Sequence, residues 1–497
     1  MNDLEWLYGR DGSLTARDSN GCWWSGCSLP RRAAIAQLKR FHQAQGTVAC
    51  FLAPPHAAAV RVALDKLRPE QALIAIVPDE RDMHVMLACE DFSQDFDSHR
   101  LWFASGDAWA DELTRLFGRE SGLPLPTQFV RLNTADPEST DKLIATAQRV
   151  FSDTTARRAD AIRAFRDSPR ENRERICVVA PSLFRLWNDW GATLRVTFAD
   201  DPSVSFLDTD DPTCASPLAI ARAAAECDAI VTIDAGRSDL PNVVADSIRW
   251  VTWSVSGRIP AATRGDLLVL LDTSDRAAAT AAGWTDEEIC VAEQGRVPVS
   301  KSTGAQSILI VADTLSLEPP ASIDEFSSHR LLWDYVSDEL SRNPFAMGHD
   351  IDAYLTSRLR KFEVDEQTLS RAAFTSRLIV PAFMQGITRL MIERGIDVRI
   401  YGSGWDSDAR FAQRWSGPVE SREQLAEIVD QTGTLVHVWP DRRVHPIDFI
   451  GRSIVRAFDF RSPDALLNQL RRNEPCAKAH IAQPLSPRWL RSILWPK

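Results

Sequence analysis

Two glycines flank a serine at Gly402-Ser403-Gly404, with Trp405 next, directly after the apolar run Val398–Tyr401. Glycines at the carboxyl end of a strand let backbone N–H groups approach a phosphate, and a helix starting there adds positive potential. The chemistry open to such a turn is the binding of a nucleotide diphosphate. A second set of candidates is acidic. Apolar runs end in Asp79, in Asp208 and Asp210, and in Asp234, the last followed by Gly236 and Arg237. Carboxylates at that edge of an α/β sheet can accept a proton or a hydroxyl, or can cap the next helix.

The elements around the glycine turn follow a recognisable order. A polar segment leads to Gly417-Pro418-Val419, then a helical pattern around Leu425–Val429, then a second strand, Thr434–Val438. Strand, glycine turn, helix, short strand, helix, strand is the plan of a nucleotide-binding half of an α/β sheet. Two earlier stretches repeat the α/β rhythm. Strands are expected at Val48–Leu52, Ala72–Val77 and Leu101–Ala104, with helices at Ala57–Leu67 and Arg81–Cys89. The turn after the first of these strands is Ala53-Pro54-Pro55-His56, with no glycine to admit a pyrophosphate, so this unit reads as Rossmann-like without that ligand. Further strands are expected at Ile176–Ala180, Val204–Leu207, Ala229–Ile233, Trp250–Trp253 and Leu267–Leu271, with a helix at Pro217–Glu226. The third unit opens at Ser307–Ala312 and has helices at Ser327–Leu340 and between Asp350 and Met391.

The expected organisation is an α/β chain of three Rossmann-like units. They are an amino-terminal unit over 1–150, a helical linker over 151–174, a second unit over 175–305, and a third over 306–497 with a final helix. A chain of 497 residues is too long for one core. Its net charge of −11, with only short scattered basic pairs, argues against a nucleic-acid partner. No apolar run is long enough to cross a bilayer, and the acidic start MNDLEW does not have the form of a signal peptide. The nine cysteines, an odd number and mostly single in apolar runs, fit a reducing cytoplasm and buried structural roles.

The run Gly402-Ser403-Gly404-Trp405 followed by Gly417-Pro418-Val419 resembles the carboxyl-terminal domain of GT-B glycosyltransferases, in particular the spore-maturation (CgeB-like) branch. The steps Asp228–Asp234, Trp250–Trp253 and Gly283-Trp284 resemble that branch's other Rossmann domain. Residues Ile76–Asp79 and Asp97–Gly106 resemble the amino-terminal domain of some motility-accessory-factor and CgeB-like proteins. The resemblance implies a GT-B-like pair of domains preceded by a third. It further implies a nucleotide-sugar donor, a glycan or protein acceptor, and no bound metal or other cofactor, since helix ends and basic side chains neutralise the leaving diphosphate. A family line of glutamate, four residues, glycine and a small apolar strand aligns with Pro446 to Val455. Gly451, Arg452 and the strand are present. Pro446 stands at the glutamate position, so His445 and Asp448 become the neighbouring candidates for the ribose.

An inverting transferase also needs a base for the acceptor hydroxyl, for which Asp234 comes first, then Asp208 and Asp210, with His329 at a helix start as a further candidate. His437, inside LVHVW, reads as a core histidine, and most of the sixteen tryptophans as core. Sugar transfer is the leading expectation. The rival is a non-catalytic protein of the same fold that keeps a degenerate donor site for binding or assembly, which Pro446 and the acidic Asp406 and Asp408 after the turn favour.

Overall fold

The structure is a computed structural model. It describes residues 4–495 apart from 25, 39–40, 42–47, 68–70, 119–121, 127, 132–136, 170–173, 183–190, 192–193, 196–197, 256–257, 272, 292–293, 297–307, 320–322, 324–326, 366–368, 370, 431–433, 441–452, 473–479 and 483–486. Three separate parallel sheets dominate it. Their central strands are near-continuous apolar runs buried on both faces, such as Ala72–Val77 and Ile176–Ala180, as parallel sheets covered by helices require. Alternation then sorts the side chains. Val48, Cys50 and Leu52 enter one core layer of the first sheet, while Ala49 and Phe51 enter the other.

In the first sheet the strands lie in the order Leu101–Ser105, Ala72–Val77, Val48–Leu52, Gln128–Arg131. By sequence this is 3-2-1-4, a Rossmann order. The second sheet places Ile176–Ala180 between Val204–Asp208 and Ala229–Ile233, and continues through Arg249–Ser254, Leu267–Leu270 and Ile289–Val291. The third places Ile308–Val311 between Val398–Tyr401 and Thr434–His437, with Ser453–Arg456 outermost. Both have the 2-1-3-4 order whose reversal point lies beside the first strand. The chain is therefore α/β with three Rossmann-like units.

Two helices tie the units together. Residues Pro137–Arg166 form one helix of 30 residues, of which the expected linker helix is the second half. Its Ala147, Val150 and Phe151 pack in the first unit, while Ile162 and Phe165 lie against the second. The final helix, Pro487–Leu494, leaves the third unit altogether. Its Leu490 and Leu494 are fully buried with Ile176, Val178 and Val269 of the second sheet, and Arg491 reaches Asp201 at 3.0 Å. A short antiparallel pair, Gln294–Arg296 with His480–Ala482, makes the same crossing.

Several elements differ from expectation. The short strand expected at Gly417–Val419 reduces to a single bridge between Ile400 and Trp415, because the chain there closes back on the glycine turn. The strands Gln128–Arg131 and Ile289–Val291 lie at sheet edges, where their short runs carry little periodic signal. Among the described residues no helix is long and apolar enough to cross a membrane.

Candidate functional site

The glycine turn does follow the second strand of the third sheet, at its carboxyl end, and it lies against the loop that leaves the first strand. Thr314 N–H donates to Ser403 O at 2.9 Å, and Ala312 N–H to Tyr401 O at 3.0 Å. The two loops are so close that a Cβ on Gly402 would meet Ala312 O at 2.1 Å, and one on Gly404 would meet Thr314 O at 2.2 Å. Both glycines also have positive φ, +123° and +86°, which side-chain-bearing residues rarely adopt. The glycines here admit neighbouring backbone. Trp405 is fully buried below them, stacked edge-on to Phe411, with its indole N–H on Ala312 O at 2.5 Å. The indole ties the turn to the first strand.

Two of the turn's amides are committed as well. Gly402 N–H donates to Gly417 O at 2.9 Å, and Ser403 N–H to Asp313 Oδ1 at 2.7 Å. Asp313 is half-buried, and burial raises its carboxyl above the ordinary range against the pull of the hydrogen bonds from Ser403. Asp406 faces solvent. Asp408 is the N-cap of Ala409–Ala412. It accepts from Arg410 N–H at 2.9 Å and pairs with the Arg410 side chain, which lowers its carboxyl further. Gln385, from the helix Val380–Glu393, spans to Thr314 Oγ1 at 3.2 Å and Leu315 O at 2.9 Å. His445, Asp448, Gly451 and Arg452 lie outside the described residues.

At the second sheet's edge Asp234 has a φ of +54°, a conformation that aspartate tolerates better than most side chains. Its Oδ1 accepts from Val255 N–H at 2.8 Å, and its carbonyl from Arg258 at 3.2 Å. Asp208 Oδ1 accepts from Ser182 N–H at 3.1 Å and Asp210 N–H at 2.9 Å, and Asp210 is buried. Arg237, three residues after Asp234, turns inward. It is buried against Asp266 at 2.8 Å and donates to Ala245 O at 2.9 Å, so it braces the loop. Burial raises the Asp266 carboxyl in spite of that partner. His329 is not at the surface. It is 4% exposed on the helix Ser327–Arg342, and burial lowers its pKa. His437 is buried in its strand.

The first sheet's edge follows the same rule. Asp79 caps the helix Glu80–Cys89 through Arg81 N–H at 2.8 Å, His56 Nδ1 accepts from Ala59 N–H at 3.0 Å, and Glu112 takes Ser105 N–H at 2.8 Å. Burial pushes His56 down to about 4, as befits an imidazole that accepts with that nitrogen. At each of the three edges, then, one or more loop amides are held by side chains of the protein itself. The sequence reading missed Asp313 and Glu112 in that role. The one available signal was an aspartate directly past a strand that neighbours a glycine-terminated one.

No protein-family model matches the chain, and no curated protein does. Among solved structures, the MAf glycosyltransferase from Magnetospirillum magneticum AMB-1 aligns with 50% of this chain and 49% of its own, at 10% identity and a TM-score of 0.22. The aligned region is thus about half of each chain, and so loose a superposition assigns neither activity nor ligand.

Proposed function

We propose that this chain is a glycosyltransferase-like protein of GT-B plan that takes a nucleotide-sugar at the carboxyl edge of the third sheet and delivers the sugar to an acceptor at the second. The observation that carries the reading is the return of the final helix. Leu490 and Leu494 leave the third unit to complete the core of the second, so two units of the same strand order are bound into one pair. The glycine turn beside the reversal point of the third sheet supports it, as do the short sequence steps shared with the spore-maturation branch. In this reading Arg452 and Gly451 meet the diphosphate, His445 or Asp448 meets the ribose, and Asp234 accepts the acceptor's proton.

A second reading keeps the fold and gives up the chemistry. It is favoured by one contact, the Asp313 carboxylate on the Ser403 amide, where a phosphate oxygen would be expected. Thermal unfolding of the full chain with UDP, GDP, ADP, TDP and CMP, and their sugars, separates the two. A ligand that binds the folded state raises the midpoint by mass action. A rise with one base, weakened in Arg452→Ala, supports the transferase reading and names the donor for a turnover assay. No rise with any nucleotide rejects it. Gly404→Glu is unsuited to this test, since its side chain would be driven into Thr314 O.

A further inference from the structure

We infer that Asp313 is a specificity-determining residue of the third edge, a tethered anion that occupies the glycine turn and sets how weakly a diphosphate binds there. The inference rests on reading this edge as the donor site. Three observations meet at one residue. Asp313 Oδ1 lies 2.7 Å from Ser403 N, within the range of a strong charge-assisted hydrogen bond. Of its neighbours in the turn, Gly402 N–H is held by Gly417 O, and the sides of Gly402 and Gly404 where a Cβ would stand are filled by the carbonyls of Ala312 and Thr314. Ser403 itself is exposed, so its amide is the point at which a ligand arriving from solvent would meet the turn.

A phosphate oxygen and the Asp313 carboxylate compete for that amide. They cannot share it, because two anions at hydrogen-bonding distance from the same N–H repel each other. Arg410, which follows the turn, does not relieve the conflict, since its guanidinium is paired with Asp408. Asp313 lies two residues past the strand Ile308–Val311, in a loop set beside the turn by the ladder with Val398–Tyr401 and by the bonds from Ala312 N–H to Tyr401 O and from Thr314 N–H to Ser403 O. Its backbone is therefore tied to the turn on either side of the carboxylate.

The test uses the full chain, with titration calorimetry of inorganic pyrophosphate, of the five nucleotides and of their uncharged nucleosides. Asp313→Asn keeps an acceptor for Ser403 N–H without the charge, and Asp313→Ala frees the amide. Unliganded thermal unfolding of both variants reports whether each is folded. The expected order of diphosphate affinity is Ala, then Asn, then wild type, with a gain of about ten-fold for Ala, the scale of one charged hydrogen bond. Nucleoside affinity stays unchanged, which a merely structural role would not produce selectively. If wild type binds a nucleotide and both folded variants bind it equally or less well, the inference is overturned while the donor-site reading stands. If wild type binds none and Asp313→Ala binds one, the inference holds and the transferase reading of the natural chain fails. Binding by none of the three overturns both.

Discussion

The second and third sheets share a strand order but close their carboxyl edges by different physics. In the second, the loop after Ala229–Ile233 is held by charge. Arg237 is buried on Asp266 and on the carbonyls of Ala245 and Ile248, while Asp234 and Asp208 cap amides of neighbouring loops. In the third, the corresponding closure is mostly steric. Gly402 and Gly404 let two loops touch backbone to backbone, and the buried Trp405 indole locks them. One edge depends on paired charges that must stay paired, the other on side chains that must stay absent. Topology alone therefore does not dictate how an α/β edge is sealed, and the two edges should fail under different substitutions.

The largest expected effect lies in the second edge. Asp266→Ala leaves the Arg237 guanidinium buried without its carboxylate, at a cost of about 3–5 kcal/mol, and the unfolding midpoint should fall steeply. A fall of under about 1 kcal/mol would mean that water reaches Arg237, and the contrast between the edges would lose its basis. Next comes the third edge. Gly402→Ala sets a Cβ against Ala312 O and forces a φ of +123° on a side-chain-bearing residue, together costing about 3 kcal/mol. The same change at Gly417, where φ is +119° and a Cβ meets nothing within 4 Å, serves as the control for positive φ alone. Equal losses at the two positions would show that conformation, and not loop contact, accounts for Gly402.

The strands were legible because buried parallel strands are continuous apolar runs. Ala72–Val77 and Ile176–Ala180 appear where the sequence placed them. The crossing of the final helix was half legible. The spacing of Trp489, Leu490, Ile493 and Trp495 predicts an apolar face, but a helix face carries no label for the sheet it will meet. The candidate site was read less completely. Glycines at a strand end signal a close approach, and the sequence does not say whether phosphate or backbone makes it. Aspartates at strand ends signal amides to be held, and whether those amides are on the next helix, as for Asp79, or on another strand's loop, as for Asp313, depends on pairing across about ninety residues. His329, a base candidate from its place at a helix start, is instead the buried position of that first turn, with Ser327 and Arg330 exposed beside it.

Charge is not missing from the third unit, and a third prediction sharpens where it acts. Glu339 accepts from Arg358 at 2.8 and 2.9 Å, from Tyr354 Oη at 2.6 Å and from Tyr335 Oη at 2.9 Å, joining the helix Ser327–Arg342 to Ile351–Lys361. Burial alone would raise this carboxyl, but the hydrogen bonds from Arg358, Tyr354 and Tyr335 carry it below the ordinary range. A depressed folded pKa stabilises above the unfolded value, about 4.3, and that stability is lost as pH falls through the folded one. Glu339→Gln should cost about 1–3 kcal/mol at neutral pH, and the gap from wild type in urea midpoint should narrow in acid. A gap independent of pH would mean that shape rather than charge holds these helices. In that case the third unit would be sealed by packing throughout.

The smallest effect belongs to Asp313, and its sign is opposite. Here burial raises the folded pKa, so the folded state holds the proton more tightly than the unfolded chain does. The carboxyl's contribution to stability is then fullest below the unfolded value, about 3.9, and declines as pH rises through the folded one. Asp313→Asn removes the ionisation and keeps an acceptor for Ser403 N–H. It should leave stability at neutral pH unchanged or raised by up to about 1 kcal/mol, with the advantage vanishing toward pH 3. The parallel change at the second edge, Asp234→Asn, tests whether its cap behaves alike. It too keeps an acceptor for Val255 N–H, in a conformation that asparagine tolerates. A loss of stability at Asp313 with none at Asp234 would reverse the assignment. The third edge would then depend on its ionised carboxylate, and the second on shape alone.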